Sequence, residues 1–306
     1  MTTSNTETAQ DAVKVPELKV DKGISKLTLY RRRFLRNKMA VVGLIIFVLL
    51  TLFAIFGNMP NKWNYMEPDF LALTQPPSAN HWFGTTQGGN DLYAQVVHGL
   101  GRSMVIAVTV SAATTVIAAL VGTLAAYLGG KPERAILAFI HFMLLIPSFL
   151  FIALIVGGSG GDWKMLIGVL ILFGWMYYSR VIWSLAISLR ERDFIRAARY
   201  MGVGTFKTLV RHMIPNIGSL LIINLMLGVV STVMSETGLS FLGLGVKLPD
   251  VSLGTLLALG SNSIRSATWV FWFPAICLTL LTVSMAFIAD GLRDALDPNS
   301  AAGGRA

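Results

Sequence analysis

The chain has 306 residues, of which 54% are hydrophobic and only 13% are charged, and its mean hydropathy is +0.64. Because about a quarter of the residues in soluble proteins are charged, this composition excludes a soluble globular domain. Apolar runs of the roughly 20 residues that cross a bilayer as a helix recur along the chain, and the alternating pattern of a membrane β-barrel does not. The sequence therefore predicts an all-α integral membrane protein.

The segment at residues 25–38, SKLTLYRRRFLRNK, precedes the first apolar run. A helix here places Leu27, Tyr30 and Phe34 near one face and covers the rest with basic residues. This pattern is typical of an amphipathic interfacial helix on an anionic leaflet. The span that follows, at about 40–57, has a long hydrophilic lead and no small-residue cleavage site, so it is predicted to be a retained anchor.

Six spans are predicted in all. The five after the first lie at about 103–129, 135–156, 165–187, 217–238 and 269–290. The loop at 61–100 has mixed composition and is predicted to be extracytoplasmic. The segment at 239–268 is half apolar, rich in Gly and Ser, and too interrupted to span, so a re-entrant or surface-packed element is expected.

The distribution of basic residues predicts the orientation. With the N-terminus inside, 19 of the 25 Lys and Arg fall in inside segments and five fall in outside segments. This asymmetry favours cytoplasmic termini. It also explains the net charge of +9 as a consequence of membrane topology, so no nucleic acid is predicted as a partner. Residues 1–24 and 293–306 are predicted to be cytoplasmic tails, the first of them disordered. Residues 25–60 hold the interfacial helix and first span, and residues 101–292 form the membrane core.

The segment at residues 188–215, hereafter the connector, is the largest predicted cytoplasmic loop between spans. It carries six Lys and Arg, and Gly202 and Gly204 divide it into two helical pieces. The second piece runs to Pro215, a residue that suits the first turn of a helix.

Small side chains at Ala197, Ala198 and Gly202 leave a shallow surface for another protein. Residue pattern alone leaves two interpretations open, a docking element or a basic loop that only fixes topology.

Ionisable residues inside spans are candidate functional groups. Arg180, in the fourth span, either snorkels to the interface or lines a pathway. Glu236, at the end of the fifth span, either caps the 239–268 segment or faces that pathway. The chain shows no P-loop, no catalytic set and no metal-ligand spacing, so it is predicted to bind no cofactor and to catalyse no reaction itself.

Several motifs resemble those of a known family. AAR-x-x-G at 197–202, followed by RHMIPN, resembles the EAA signature of ABC-importer permeases. The motifs RRRFLRNKMAVVGL at 31–44, QPPSANHWFGT at 75–85, SLRERDFIRAAR at 188–199, SETGLSFLGLGV at 235–246 and DGLRDALDP at 290–298 are similar to those of the second permease subunit of dipeptide, oligopeptide and related nickel importers. The resemblance covers residues 30–298.

This resemblance implies a type I ABC-importer permease fold with six transmembrane helices. It makes the connector a coupling loop that docks in a cleft of an ATPase, through Arg196, Ala197, Ala198, Gly202 and Pro215. Arg196 departs from the family pattern, which has glutamate there. Thr86 and Asn90 also depart, from the Asp and Arg of FGTDxxGRD.

The implied partners are a homologous permease subunit, two cytoplasmic P-loop ATPases that carry ATP and Mg, and an extracytoplasmic peptide-binding protein. The implied cargo is a di- or oligopeptide, with nickel chelate or another small solute as the alternative. An autonomous secondary transporter or channel is the rival class. Such proteins usually show internal repeats and midplane charges, which are not evident in this sequence.

Overall fold

A computed structural model describes residues 26–158 and 160–296. The tail predicted at 1–24 lies outside the described residues, as does the other predicted tail beyond Leu296. The helices are α1 Lys26–Arg36, α2 Lys38–Phe56, α3 Leu92–Leu128, α4 Gly130–Leu145, α5 Ser148–Gly158, α6 Trp163–Arg190, α7 Asp193–Tyr200, α8 Thr205–Thr208, a π-helical turn Leu209–Met213, α9 Ile214–Asn216, α10 Gly218–Phe241, α11 Leu253–Ser263 and α12 Thr268–Leu296. The all-α prediction is confirmed for these ranges.

Five of these helices, α2, α3, α6, α10 and α12, are long and apolar enough to cross a membrane. The pair α4 and α5 makes a sixth span if it is counted as one, with a bend of 70° between its halves. The bend falls at Pro147, which has no N–H to donate and forces the preceding Ile146 into an extended conformation. The span predicted at 135–156 therefore corresponds to two helices with a bend between them.

Helix α3 begins at Leu92, well before the predicted start at 103. Asp91 caps it, since its carboxylate accepts a hydrogen bond from the backbone N–H of Ala94 at 2.8 Å. The first turns are also buried, with Val96 and Leu100 fully enclosed. The long loop therefore covers residues 57–91, and its predicted end at residue 100 is wrong.

Helix α3 is central to the bundle. It packs along α6 and α10, while α2 packs on α12 and α11 lies against α10 and α12. The backbones of α3 and α6 approach closely at Gly122, where an added Cβ would lie 2.6 Å from the carbonyl oxygen of Ser179. Small residues at such crossings let membrane helices pack without a hydrophobic driving force.

The segment predicted to be re-entrant or surface-packed contains α11. Its residues Leu253, Leu256 and Leu257 are buried, and the helix packs into the bundle beside α12. Ser252 caps it by accepting a hydrogen bond from the backbone N–H of Thr255. A short helix with a buried N-terminus therefore interrupts the path between α10 and α12.

Helix α1 folds back on the end of α12. Phe34 packs against the main hydrophobic cluster, and the side-chain amide of Asn37 donates a hydrogen bond to Asp294 at 2.9 Å. Phe34, predicted on the apolar face of an interfacial helix, therefore packs against the protein rather than standing free. Arg31, Arg32 and Arg36 are exposed.

Candidate functional site

The connector forms two helical pieces joined by a turn. α7 ends at Tyr200, and Gly202 takes the left-handed conformation with φ of +72°. The N–H of Gly202 donates to the carbonyl of Arg199, and the N–H of Val203 donates to that of Ala198. This pair of bonds is a Schellman motif, in which glycine at the left-handed position ends the helix without steric cost.

One side of the connector is buried against the transmembrane helices. Ile195, Ala198, Leu209 and Met213 are each at most 3% exposed. They pack with residues at the end of α3 and in the last turns of α6, namely Ala126, Tyr127 and Ala186. Ala198 therefore supports the connector from behind and is not part of an exposed surface, contrary to its predicted place on the docking face.

The opposite side is exposed and carries large apolar side chains among charged ones. Tyr200 is 84% exposed, Met201 76% and Phe206 71%, and Ala197 and Gly202 are also exposed. These five residues are called the connector face below. Exposed apolar patches of this kind mark interaction sites. Of the small residues predicted there, Ala197 and Gly202 are present and Ala198 is not. Sequence reasoning also missed the large exposed side chains around them, for which their apolar character was the signal.

Arg196 lies beside the connector face. It is exposed and helps to line a cleft of about 230 Å³ whose other lining residues are Arg190, Glu191, Arg199 and Tyr200. Arginine is the basic side chain best suited to pair with a planar acidic group. Pro215 lies in the short helix α9 and is exposed, away from the Gly202 turn.

Two arginines fasten the connector to α3. Arg190 donates a hydrogen bond from Nη1 to the carbonyl oxygen of Ala126 at 3.2 Å, and Arg199 donates from Nη2 to that of Tyr127 at 2.9 Å. The guanidinium of Arg199 also lies over the Tyr127 ring, 4.6 Å from its centroid. The last carbonyls of a helix lack intrahelical partners, and cations are favoured at that end.

Arg190 also joins the connector to α4. Its guanidinium lies 3.6 Å from a carboxylate oxygen of Glu133. The other oxygen of Glu133 accepts a hydrogen bond from the indole N–H of Trp183 at 2.7 Å. The start of α4 and the ends of α3 and α6 are thus linked at this end of the bundle.

Glu236 is almost fully buried, at 1% exposure. Its Oε1 atom accepts hydrogen bonds from the hydroxyls of Ser240 at 2.8 Å and Ser252 at 2.5 Å. Both carboxylate oxygens lie against Gly254 in the first turn of α11. A carboxylate at a helix N-terminus is stabilised by the helix dipole. Glu236 therefore lies behind the N-terminus of α11, whose capping residue is Ser252, and its two predicted roles, as a cap or as a pathway group, stay predictions.

Comparison with known proteins decides the family. The family described as binding-protein-dependent transport system inner membrane component matches residues 118–301. The N-terminal TM domain of oligopeptide transport permease C matches residues 25–77.

Three relatives are each named oligopeptide transport system permease protein OppC. That of Mycobacterium tuberculosis is 46% identical over 90% of this chain and 96% of its own length. Those of Escherichia coli K12 and Bacillus subtilis are 33% and 31% identical, over 88% and 87% of this chain and 89% and 87% of their own lengths. The chain belongs to the family of binding-protein-dependent transport system inner membrane components.

Membership of this permease family makes the chain a multi-pass inner membrane protein and a subunit that is not itself catalytic. Among the residues that the structure describes, no group of three or more His, Cys, Asp or Glu is arranged to hold a metal ion.

Arg180, the other predicted pathway residue, is exposed on α6. Its neighbour Tyr177 is 64% exposed, whereas Ser179 and Ile182 are buried in the bundle. Arg180 therefore lies on an exposed side of α6, whereas Glu236 is buried, and the structure does not bring the two predicted pathway residues together.

The long loop has a fixed shape despite its lack of helices. Asp91, which caps α3, also contacts the buried His81 ring at 2.8 Å and accepts a hydrogen bond from Asn61 at 3.0 Å. Trp63 stacks on His81, with ring centroids 4.5 Å apart. Trp63 thus packs within the loop and is not a freely exposed aromatic residue.

Thr86 and Asn90 replace the charged residues of the family pattern with a neutral pair. The hydroxyl of Thr86 accepts a hydrogen bond from the backbone N–H of Asn90 at 3.1 Å, and the Asn90 amide donates to the carbonyl of Met66 at 3.3 Å. These bonds close the turn that packs on residues 66–75. The departure therefore leaves a neutral, hydrogen-bonded pair in this turn.

Tyr65 connects the long loop to α3. Its ring stacks on His98 with centroids 3.7 Å apart, and His98 contacts Asp250 at 2.7 Å. Arg102 pairs with the same carboxylate at 2.8 Å. Burial first, and then the Asp250 carboxylate, raise the pKa of the Tyr65 phenol. The phenol therefore stays protonated at neutral pH.

Proposed function

We propose that this permease is one half of a translocation pore that imports di- or oligopeptides, in complex with a homologous permease, two cytoplasmic ATPases and an extracytoplasmic binding protein. The names of its relatives support a peptide as the cargo. The coupling role rests on one observation: the connector face is exposed, while the other side of the connector is held against three transmembrane helices. A basic loop that only fixes topology would not require exposed apolar side chains.

The connector is suited to pass a movement to the membrane helices. α7 begins at Asp193, directly after the end of α6 at Arg190, and α9 is separated from α10 only by Ile217. A displacement of the connector by closing ATPases therefore turns α6 and α10. We propose that this rotation alternates access to the pore, with ATP and Mg bound by the ATPases alone.

ATP-driven uptake of a labelled oligopeptide into vesicles tests this function. We expect uptake by the full complex only, and competition by unlabelled peptides. Uptake by the permease without ATP or ATPases would show the rival class, a secondary transporter or channel. Competition by nickel chelate in place of peptide would overturn the proposed cargo.

A pair of double variants tests the connector face. Tyr200→Ala/Met201→Ala removes two anchors, and since buried interface anchors dominate binding energy, we expect at least about ten-fold weaker retention of the ATPases. Phe70→Ala/Leu71→Ala removes two equally exposed side chains from the long loop and serves as the control, with retention unchanged. Equal retention by both variants would remove the connector face as the docking site.

The proposed orientation has both termini and the connector in the cytoplasm. In a chain with Cys277→Ser, an impermeant thiol reagent applied to intact cells should label Ala79→Cys in the long loop and leave Asp193→Cys in α7 unlabelled. Both positions are exposed, so the reverse pattern would invert the topology.

A further inference from the structure

The end of α3 is completed by side chains from the connector. Of its final carbonyls, that of Ala125 accepts from the N–H of Gly129, while those of Ala126 and Tyr127 accept from Arg190 and Arg199. Helix-terminal carbonyls need such partners where water is scarce. The connector therefore takes part in finishing α3, a helix from which it is separated by two spans in the chain.

Apolar packing strengthens the same connection. Ile195 and Leu209 from the two pieces of the connector share a buried cluster with Ala126 and Tyr127. A movement of the connector relative to α3 would separate these side chains and leave the carbonyl of Tyr127 without its arginine. Both costs favour movement of the connector and α3 together.

The far end of α3 is held just as directly. Asp91 caps the helix and bonds Asn61 and His81 of the long loop, and the N–H of Leu92 donates to the carbonyl of Gly84. A helix of 37 residues has a length of about 55 Å. One rigid element thus joins the connector at one end and the long loop at the other.

We infer that Arg199 is a positioning residue that makes α3 move with the connector, so that ATPase closure reaches the long loop through α3 in addition to turning α6 and α10. This inference rests on the proposed function. Arg199 is the sharper probe of the two arginines because its described side-chain contacts are with Tyr127 alone, whereas Arg190 also contacts Glu133 and Glu191.

The test compares two arginines of the connector in the reconstituted complex. Arg199→Gln removes the contact with α3, and Arg192→Gln removes an exposed arginine next to α7 that lacks a described side-chain bond. We expect Arg199→Gln to raise the ATP hydrolysed per peptide imported about ten-fold, in line with the loss of a charged hydrogen bond. Arg192→Gln should leave the ratio unchanged, and Arg199→Lys, which keeps a cation at the helix end, should restore much of it.

A distance measurement separates this inference from the proposed function. Spin labels at Asp193→Cys and Leu128→Cys, in the purified permease with Cys277→Ser, report the position of the connector relative to α3 without any ATPase. We expect Arg199→Gln to broaden the distance distribution and Arg192→Gln to leave it narrow. An unchanged distribution, or a coupling ratio equal to that of Arg192→Gln, would overturn the role of Arg199. Absence of ATP-driven uptake by the unsubstituted complex would instead overturn the proposed function.

Discussion

The two ends of α3 are held in different ways. At the long loop, Asp91 is 1% exposed and gathers the α3 N-terminus, Asn61 and His81 around one buried carboxylate. At the connector, the guanidinium of Arg199 lies at the surface and bonds one carbonyl. A buried charge with several hydrogen-bond partners is costly to disrupt, whereas a single charged hydrogen bond near the surface contributes less, about 1.5 kcal/mol. The long-loop end is therefore built to keep one shape, and the connector end is built to be adjusted by a partner.

The largest expected effect comes from the buried end. Asp91→Ala removes a helix cap and the contacts of its carboxylate with His81 and Asn61, so we expect a loss of about 3 kcal/mol in the free energy of unfolding. Thermal or denaturant unfolding in detergent measures it.

Asp162→Ala is the matched control for that variant. Asp162 caps α6 by accepting a hydrogen bond from the backbone N–H of Lys164, and it is exposed. Its side chain has no further described partner. A lone cap is worth about 1 kcal/mol. Equal losses in the two variants would show that the buried network around Asp91 adds nothing to an ordinary cap.

The next effect concerns Arg196, at the adjustable end. If the connector docks on an ATPase, Arg196 meets an acidic group or a carbonyl there, and Arg196→Glu should weaken assembly by about 2 kcal/mol. Arg196→Ala should cost less because it brings no like charge. Complex yield at two salt concentrations measures both, and a Glu variant that assembles and transports as well as the unsubstituted chain would exclude Arg196 as a contact.

The smallest effect comes from the turn of the connector. Gly202 has φ of +72° with open space where a Cβ would lie, so Gly202→Ala should cost about 1 kcal/mol from backbone strain alone. Gly204 has φ of −58° and equally open space, and Gly204→Ala should be neutral or slightly stabilising. Unfolding midpoints of the two variants are the comparison, and a loss at Gly204 as large as that at Gly202 would contradict the account of the turn.

The sequence predicts the spans well because the length of each apolar run can be compared directly with the length of helix that crosses a bilayer. It also predicts the two pieces of the connector, since Gly202 and Gly204 interrupt a helix-forming stretch. The bend at Pro147 was missed because a proline inside an apolar run is compatible with a kinked or an unbroken span. The early start of α3 was missed because Asp91 resembles an ordinary loop residue until its cap is seen.

The contacts that define the site depend on tertiary structure. Arg199 reaches the carbonyl of a residue 72 positions away, and no local pattern marks that pairing. Glu236 illustrates the same limit, because its position in a span was evident while its contact with Ser252 at the start of α11 depended on the path of residues 242–252. Sequence therefore located the connector but not the side chains that hold it.

A cross-linking experiment tests the central claim, that the connector face docks on an ATPase. A photoreactive residue is placed at Phe206, which is 71% exposed in the connector, or at Leu71, which is 93% exposed in the long loop. In the complete complex the account predicts a cross-link to an ATPase subunit from position 206 and none from position 71. No ATPase adduct from position 206, or one from position 71, would contradict it.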